Sequence, residues 1–367
     1  MSQKNIFYLE FDDSTMTKLF ILEKYVENWL PVFLKQQKDY IYIFDFFAGA
    51  GYDSKGNLGS PIRILKQIVN HYSNIPSNTK INLFFNEHEE KYFENLQSNC
   101  DDYIKRYPFL DKVVNIKYYS EDVKNIFDRL KNKVGEYPSL VFMDQFGVKY
   151  STYIFEFEKF DTTDFLFFIS SCSLRRFAET PEFKDALKLG KGEIEKFKNS
   201  PYKLIHEATI QFLKGRLTPN SPLKLYPFSL KKGKNIYGLI FGSKHILAAD
   251  KFLHIVWKIN TTNGSANYDI YDDEEKKQLN LFPELVGKTT MQLFREKFKE
   301  EVLEGRIQTN KDAYYYTIEK GHIPKHATEV LRSLKKEGII NYTGSPLVNY
   351  ENVVKNGRII KYEKNED

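Results

Sequence analysis

Residues 42–63 read YIFDFFAGAGYDSKGNLGSPIR, and the fold class follows from how that stretch is built. Ile41, Ile43 and Phe44 make a short apolar run into Asp45, the pattern of a strand buried on both faces. Gly49 and Gly51 follow where the backbone must bend sharply, because glycine enters left-handed conformations without a Cβ penalty. Ser60 as N-cap and Pro61 as first helical residue predict a helix over residues 62–72. Strand, acid, glycine turn and helix make half of a ligand-binding α/β unit, with the ligand expected at the carboxyl edge of the sheet.

The ligand class is narrowed by what the stretch lacks. A dinucleotide fingerprint needs a third glycine where Ser54 stands, and an acid about 20 residues on, whereas Glu87 lies much further. The arrangement suits S-adenosylmethionine better, since that ligand has no phosphates to cradle. Its ammonium can meet Asp45, its carboxylate the amides of the turn, and its ribose diol an acid after the second strand. The competing reading is a glycine-rich strand-to-helix turn that holds no ligand.

A length of 367 residues predicts two domains, or one with an appendage. The hydrophobic share of 41% supports a large core, and a net charge of +5 permits nucleic-acid contact without demanding it. Two cysteines, Cys100 and Cys172, make neither a disulfide framework nor a zinc site, so free thiols in a reducing cytosol are expected. No apolar run approaches the ~18 residues of a membrane span, and the N-terminus lacks a signal-peptide core. The expectation is a soluble cytoplasmic protein without a metal site.

Residues 14–37 predict an amphipathic helix with Leu19, Leu22, Val26, Trp29 and Phe33 inward, kinked or ended at Pro31, and with Lys18 as an exposed base near the cleft. A second strand, 81–85, delivers Glu87 to the carboxyl edge. A third, 113–119, delivers Asp122, which can accept from an adenine amino group or simply cap the next helix. A fourth, 139–143, delivers Asp144, Gln145, Phe146 and Gly147. An acid and a flat ring at a strand end suit methylation of an amine on a planar base: the acid takes the amine's proton while the ring stacks. The plainer reading is a turn that only lines the donor pocket. After a fifth strand, 165–169, residues 174–217 read as a polar helical insertion, with Arg175 and Arg176 placed to meet substrate. A hairpin (223–230 and 236–243) and a helix (246–259) follow. Five parallel strands closed by a hairpin is the layout of class I methyltransferases, a Rossmann-like α/β fold.

Composition divides the chain into a first domain at 1–262, a linker at 263–288 with a docking LNLF patch, and a C-terminal domain at 289–367. Helices at 289–303 and 323–338, then strands at 339–342 and 357–362, predict a winged helix-turn-helix-like domain, with Lys325, Arg332, Lys335 and Lys336 on an outer helix face. Residues 290–367 hold 14 basic and 12 acidic side chains, a balance that leaves nucleic-acid contact and protein docking both open.

The motifs ILEKYVENWLPVF, FDFFAGAG, GSPI, FFNEHEEKYFENL, VFMDQFG, RRF, YGLIFGSKH, IVWKI and QLNLF occur in order over most of residues 14–340. In them the chain resembles the three-Cys-motif partner proteins, bacterial proteins similar to S-adenosylmethionine-dependent methyltransferases with a winged-helix-like C-terminal domain. The resemblance implies a donor-binding turn at Asp45, Ala48, Gly49 and Gly51, and a ribose contact at Glu87. It puts Asp144 and Phe146 at a strand-four motif that usually reads Asp-Pro-Phe-Gly; Gln145 stands where the proline would. It also implies a cysteine-motif partner protein. The expected function is methyl transfer to an amine of a nucleic acid or nucleotide, with Asp144, Gln145 and Phe146 at the chemistry and Arg175, Arg176, Lys325 and Arg332 on substrate. The competing expectation is a non-catalytic ligand sensor or scaffold, in phage defence.

Overall fold

The computed structural model describes residues 10–278 and 287–365. The chain divides into two compact units, with the division between Lys244 and His245.

In the first unit, helix α1 (Asp13–Lys35) is capped by Asp12, whose side chain accepts from the Thr15 amide. Leu19, Leu22, Val26 and Trp29 are buried, as their spacing predicts. Pro31 does not end the helix, which runs on to Lys35. A proline removes one backbone bond there, while Trp29, Leu30 and Leu34, all buried, anchor the turns on either side.

Strands β1 (Tyr40–Asp45), β2 (Lys80–Asn86), β3 (Val114–Tyr119), β4 (Ser139–Asp144) and β5 (Thr163–Ile169) pair in parallel. Helices α2 (Ser60–His71), α3 (Glu90–Arg106), α4 (Val123–Glu136) and α5 (Tyr153–Phe157) lie in their connections. A hairpin, β6 (Lys224–Lys232) and β7 (Asn235–Ser243), completes the sheet, with β7 antiparallel to β5. The order β3-β2-β1-β4-β5-β7-β6 is that of the class I methyltransferase fold. It reverses direction between β1 and β4, so the crevice beyond their carboxyl ends is the ligand position the topology favours.

Between β5 and β6 come α6 (Ser171–Phe177), α7 (Pro181–Leu187), α8 (Lys191–Asn199) and α9 (Ile205–Lys214). This insertion is less polar than expected: Ile194, Phe197, Ile205, His206, Ile210 and Leu213 are buried. The His206 ring fills the space beside Gly238 on β7, where an added Cβ would fall 1.9 Å from it. The insertion therefore contributes to the core of its unit.

Helix α10 (Ile246–Ile259) belongs to the second unit, so the division falls earlier than the expected 262/263 boundary. Its Trp257 Nε1 donates to the Gly321 carbonyl at 2.8 Å, and its Asp250 Oδ2 accepts from Tyr314 at 2.9 Å. The start of the expected linker is ordered by Asn260, whose Nδ2 donates to the Ala266 and Tyr268 carbonyls. A short helix, α11 (Asp273–Gln278), follows; the LNLF patch lies outside the described residues.

Helices α12 (Thr290–Leu303), α13 (Asn310–Glu319) and α14 (Pro324–Lys336) precede a two-stranded ribbon, β8 (Ile340–Asn341) with β9 (Glu363–Lys364). Two points differ from expectation. Helix α13 is additional, opened by a capping box between Thr309 and Asp312. The strand expected at 357–362 is replaced by β9 because the earlier residues bond to the start of α13. Asn310 donates to the Arg358 carbonyl and accepts from the Ile360 amide, while the Tyr362 amide donates to the Gln308 carbonyl.

Candidate functional site

The glycine turn sits directly beyond β1. Gly49 and Gly51 take φ of +63° and +87°, the left-handed region that explains the residue type. The N-cap of α2 is Gly59, not Ser60. Its amide donates to the Gly51 carbonyl at 2.8 Å, an approach so close that a Cβ there would lie 2.9 Å from that oxygen. Asn99 Nδ2 donates to the Ala50 carbonyl at 2.7 Å, and the Ala48 amide to the Asn86 carbonyl at 2.9 Å. Asp53, not singled out from sequence, closes the loop by accepting from the Phe11, Lys55 and Asn57 amides.

Three carboxylates end adjacent strands. Asp45 is registered beside Phe85 on β2 and Phe142 on β4, two residues short of Glu87 and Asp144 respectively. Asp45 is fully enclosed; Oδ1 accepts from the Phe47 amide and Oδ2 has no hydrogen-bond partner. Burial pushes its carboxyl up to about 7; the neighbouring Ser60 hydroxyl, which makes no hydrogen bond to Oδ2 in this geometry, and the Phe47 amide pull it back, and the charges of Asp144 and Glu87 add to the rise. Asp45 lies at the floor of the turn, with one oxygen committed to its backbone and the other open to a partner. Glu87 accepts from the Gly49 amide through Oε2 and from the Glu89 amide through Oε1, both at 2.9 Å. Burial raises its pKa also, against those two bonds. Two of its roughly four acceptor positions are used, which leaves capacity for a diol.

Asp144 differs from the expectation of an uncommitted acid. Lys18 on α1 is buried, not exposed, and its Nζ lies 2.5 Å from Asp144 Oδ2 and 4.3 Å from the centre of the Phe168 ring. The charge is hidden because it is paired there. Gln145 is enclosed as well. Its Oε1 accepts from the Tyr150 amide at 2.7 Å and its Nε2 donates to Ser151 Oγ at 3.1 Å, so its amide pins the loop after β4. On that loop Phe146 is 66% exposed, an unusual cost for a ring so large. Asp122 is the N-cap of α4: Oδ1 accepts from the Lys124 amide, which lowers its pKa, and Oδ2 from Lys149 and Tyr150 of the same loop.

The arginines of α6 are tied elsewhere in their unit. Arg176 donates to Asn235 Oδ1 at 2.7 Å, and Arg175 lies 5.7 Å from the Tyr202 ring centre. Asn86 is a site residue that sequence reading passed over. Buried at the end of β2, it donates to the Phe46 and Glu121 carbonyls and accepts from the Glu121 amide, joining three strand ends. A buried amide at a strand terminus beside an acid is the signal that could have found it. In the second unit, taken by itself, Lys325 and Arg332 are exposed on α14, and Lys325 lies 3.9 Å from Glu329.

Residues 269–346 match the family model of the GMT-like winged helix-turn-helix domain. Among solved structures the chain is similar to a candidate O-methyltransferase from Klebsiella pneumoniae (12% identity over 64% of this chain and 91% of that one, TM-score 0.31). It is also similar to the O-methyltransferase TomG from Streptomyces achromogenes, involved in tomaymycin synthesis and solved in complex with S-adenosylmethionine (11% identity, 66% and 99% coverage, TM-score 0.33). No curated protein matches the sequence. The methyltransferase fold assignment rests on strand order and orientation. No described helix is long and apolar enough to cross a membrane.

Proposed function

We propose that the first unit binds S-adenosylmethionine and transfers its methyl group to an amine of a nucleic acid or nucleotide. The observation that carries this reading is the set of carboxylates on three adjacent strand ends around a left-handed glycine turn, one of them with an unsatisfied buried oxygen. Such an oxygen is costly unless a cation or donor completes it. When bound, S-adenosylmethionine supplies an electrophilic methyl on a sulfonium. Around it, Glu87 would accept the ribose diol, the field of Asp45 would favour the ammonium, and the turn of Ala48, Gly49 and Gly51 would face the carboxylate. Phe146 offers a ring for a planar acceptor, and Asp144 a carboxylate to receive the amine's proton. Orientation would supply most of the acceleration, because methyl transfer needs little covalent help.

A second reading is favoured by the Lys18–Asp144 pair and by the locked Gln145: a donor-binding protein that does no chemistry and reports ligand to a partner, a cysteine-motif protein by the resemblance above. Calorimetric titration with the donor, followed by radiolabel transfer to nucleotides, RNA, DNA and protein from cell extract, separates the two. Binding with label in a nucleic-acid fraction supports the enzyme, binding without transfer supports the sensor, and absence of binding refutes both. Glu87→Gln should weaken donor affinity about 5- to 100-fold through the lost charged hydrogen bonds.

A further inference from the structure

The sheet face beneath α1 ends in a pair of aromatic rings. Further in, Tyr25 of α1 donates to Asp164 Oδ2 at 2.8 Å, and its ring centre lies 4.9 Å from that of Phe241. Strand alternation puts Phe168 on the same face of β5 as Asp164, and Tyr237 on the same face of β7 as Phe241. Every residue of β5 is buried except Phe168, and every residue of β7 except Asn235 and Tyr237. The cover over this face therefore stops at the carboxyl edge. Asn235 is taken by Arg176, which leaves the two half-buried rings as the uncommitted surface.

Phe168 and Tyr237 stack with ring centres 5.6 Å apart and planes 15° from parallel, an offset arrangement. Phe168 is registered beside Asp144, the carboxylate proposed to take the acceptor's proton, whose side chain is 24% exposed. Lys18 Nζ sits over the Phe168 ring, 4.3 Å from its centre, and so holds that ring from one side. Tyr237 lies further out along the stack. Among the described residues its hydroxyl makes no hydrogen bond.

We infer that Tyr237 is the residue on which the ring of the methyl acceptor lies, with Phe168 holding it flat. The acceptor is then a planar aromatic ring with one face free: a lone base, not one inside a duplex. The inference rests on the methyl-transfer reading above and deepens it. To Phe146, which stands on a loop, it adds a ring whose place is set by strand pairing. A ring held in one plane beside Asp144 limits where an exocyclic amine can point, and orientation is what methyl transfer needs most. A base within a duplex is stacked on both faces and reaches such a surface only when extruded.

The test is calorimetric titration of the full chain saturated with S-adenosylhomocysteine, which keeps nucleotides out of the donor pocket. The probes are adenosine, cytidine and guanosine monophosphates, whose bases carry an exocyclic amine, and ribose 5-phosphate, which has the phosphate and no ring. At least one nucleotide should bind about 10-fold or more tightly than ribose 5-phosphate, within the range of base–aromatic stacking. Tyr237→Leu keeps apolar bulk and removes the ring; it should cut that advantage at least ~5-fold and leave ribose 5-phosphate within about 2-fold. Tyr237→Phe should retain the advantage, and so should Phe177→Leu, which removes an exposed ring of α6. An advantage untouched by Tyr237→Leu, or lost equally in Tyr237→Phe, overturns the proposal. A fall in S-adenosylhomocysteine affinity in Tyr237→Leu overturns it too, since the ring would then be part of the packing. Failure of the parent to bind S-adenosylhomocysteine refutes the methyl-transfer reading and this inference with it. Binding it with no preference for nucleotide over ribose 5-phosphate refutes the inference alone.

Discussion

Asp45→Asn isolates the most strained group of the site. In the native protein burial raises the Asp45 carboxyl from 3.8 to about 7. A carboxyl with a raised native pKa binds more protons folded than unfolded between those values. Its contribution is therefore fully favourable below about pH 4 and declines as pH rises toward 7. About three pKa units at 1.36 kcal/mol each set a ceiling near 4 kcal/mol on the cost of ionising it at pH 8. Asparagine keeps an Oδ1 for the Phe47 amide and carries no charge. The stability of the variant relative to the parent should rise by about 3 kcal/mol between pH 4.5 and pH 8.

The assay is urea denaturation at the two pH values, followed by Trp29 fluorescence in a Trp257→Phe background. The chain has two tryptophans, one in each unit, so this reports the first unit. Asp164, pushed up to about 6 by burial, and Glu87 share the window, so the quantity to read is the difference between variant and parent. A difference that is the same at both pH values, or one that shifts in the parent's favour as pH rises, refutes the argument.

Gly238→Ala should destabilise the first unit by more than about 2 kcal/mol, read as a fall in its melting temperature, because the new methyl would overlap the enclosed His206 ring. In the second unit, His322 and His326 touch through their Nδ1 atoms at 3.1 Å and are held to about 3 and about 4, chiefly by burial. A depressed histidine pKa means the unfolded chain takes protons that the native one refuses, so stability falls as pH drops below about 6.5. His322→Phe, whose ring can keep the stack on Phe294, should remove about one proton from the pH 4–6 slope followed by Trp257 fluorescence. A slope equal to the parent's would refute it.

The glycine turn, the strands and the acids at their ends were legible because each is a local signal: a buried run, a residue free to take positive φ, a carboxylate at a strand terminus. The partners of those acids were not. Lys18 lies 126 positions before Asp144, and a lysine near a helix start reads as solvated until the fold supplies its counter-ion. The partners of Gln145 were equally illegible, since its amide bonds backbone and side chain five and six residues on. Helix α13 was hidden because its start is set by a threonine–aspartate capping box and its Tyr314–Tyr316 run shows no helical period. The wing strand shifted for a similar reason, since Asn310 binds residues 48 and 50 positions away.

If the first unit transfers a methyl group as proposed, the Lys18–Asp144 pair constrains what its acceptor must be. For Asp144 to take a proton from an amine, its Oδ2 has to loosen from Lys18, and a lysine so thoroughly buried cannot be left without a counter-ion cheaply. An acceptor that brings an anion of its own removes the difficulty: the anion takes Lys18 while the amine takes Asp144, and two charges exchange partners without either being stranded. A nucleotide has both groups, and a free nucleoside has only the amine. The pair would then serve as a specificity device, rejecting acceptors that lack a phosphate. Lys18→Met tests this directly. Turnover on nucleoside monophosphates should fall at least 10-fold while turnover on the matching nucleosides holds or rises, with donor affinity unchanged by calorimetry. An equal loss on both acceptors would show that Lys18 only holds Asp144 in place, and the exchange of partners would have to be abandoned.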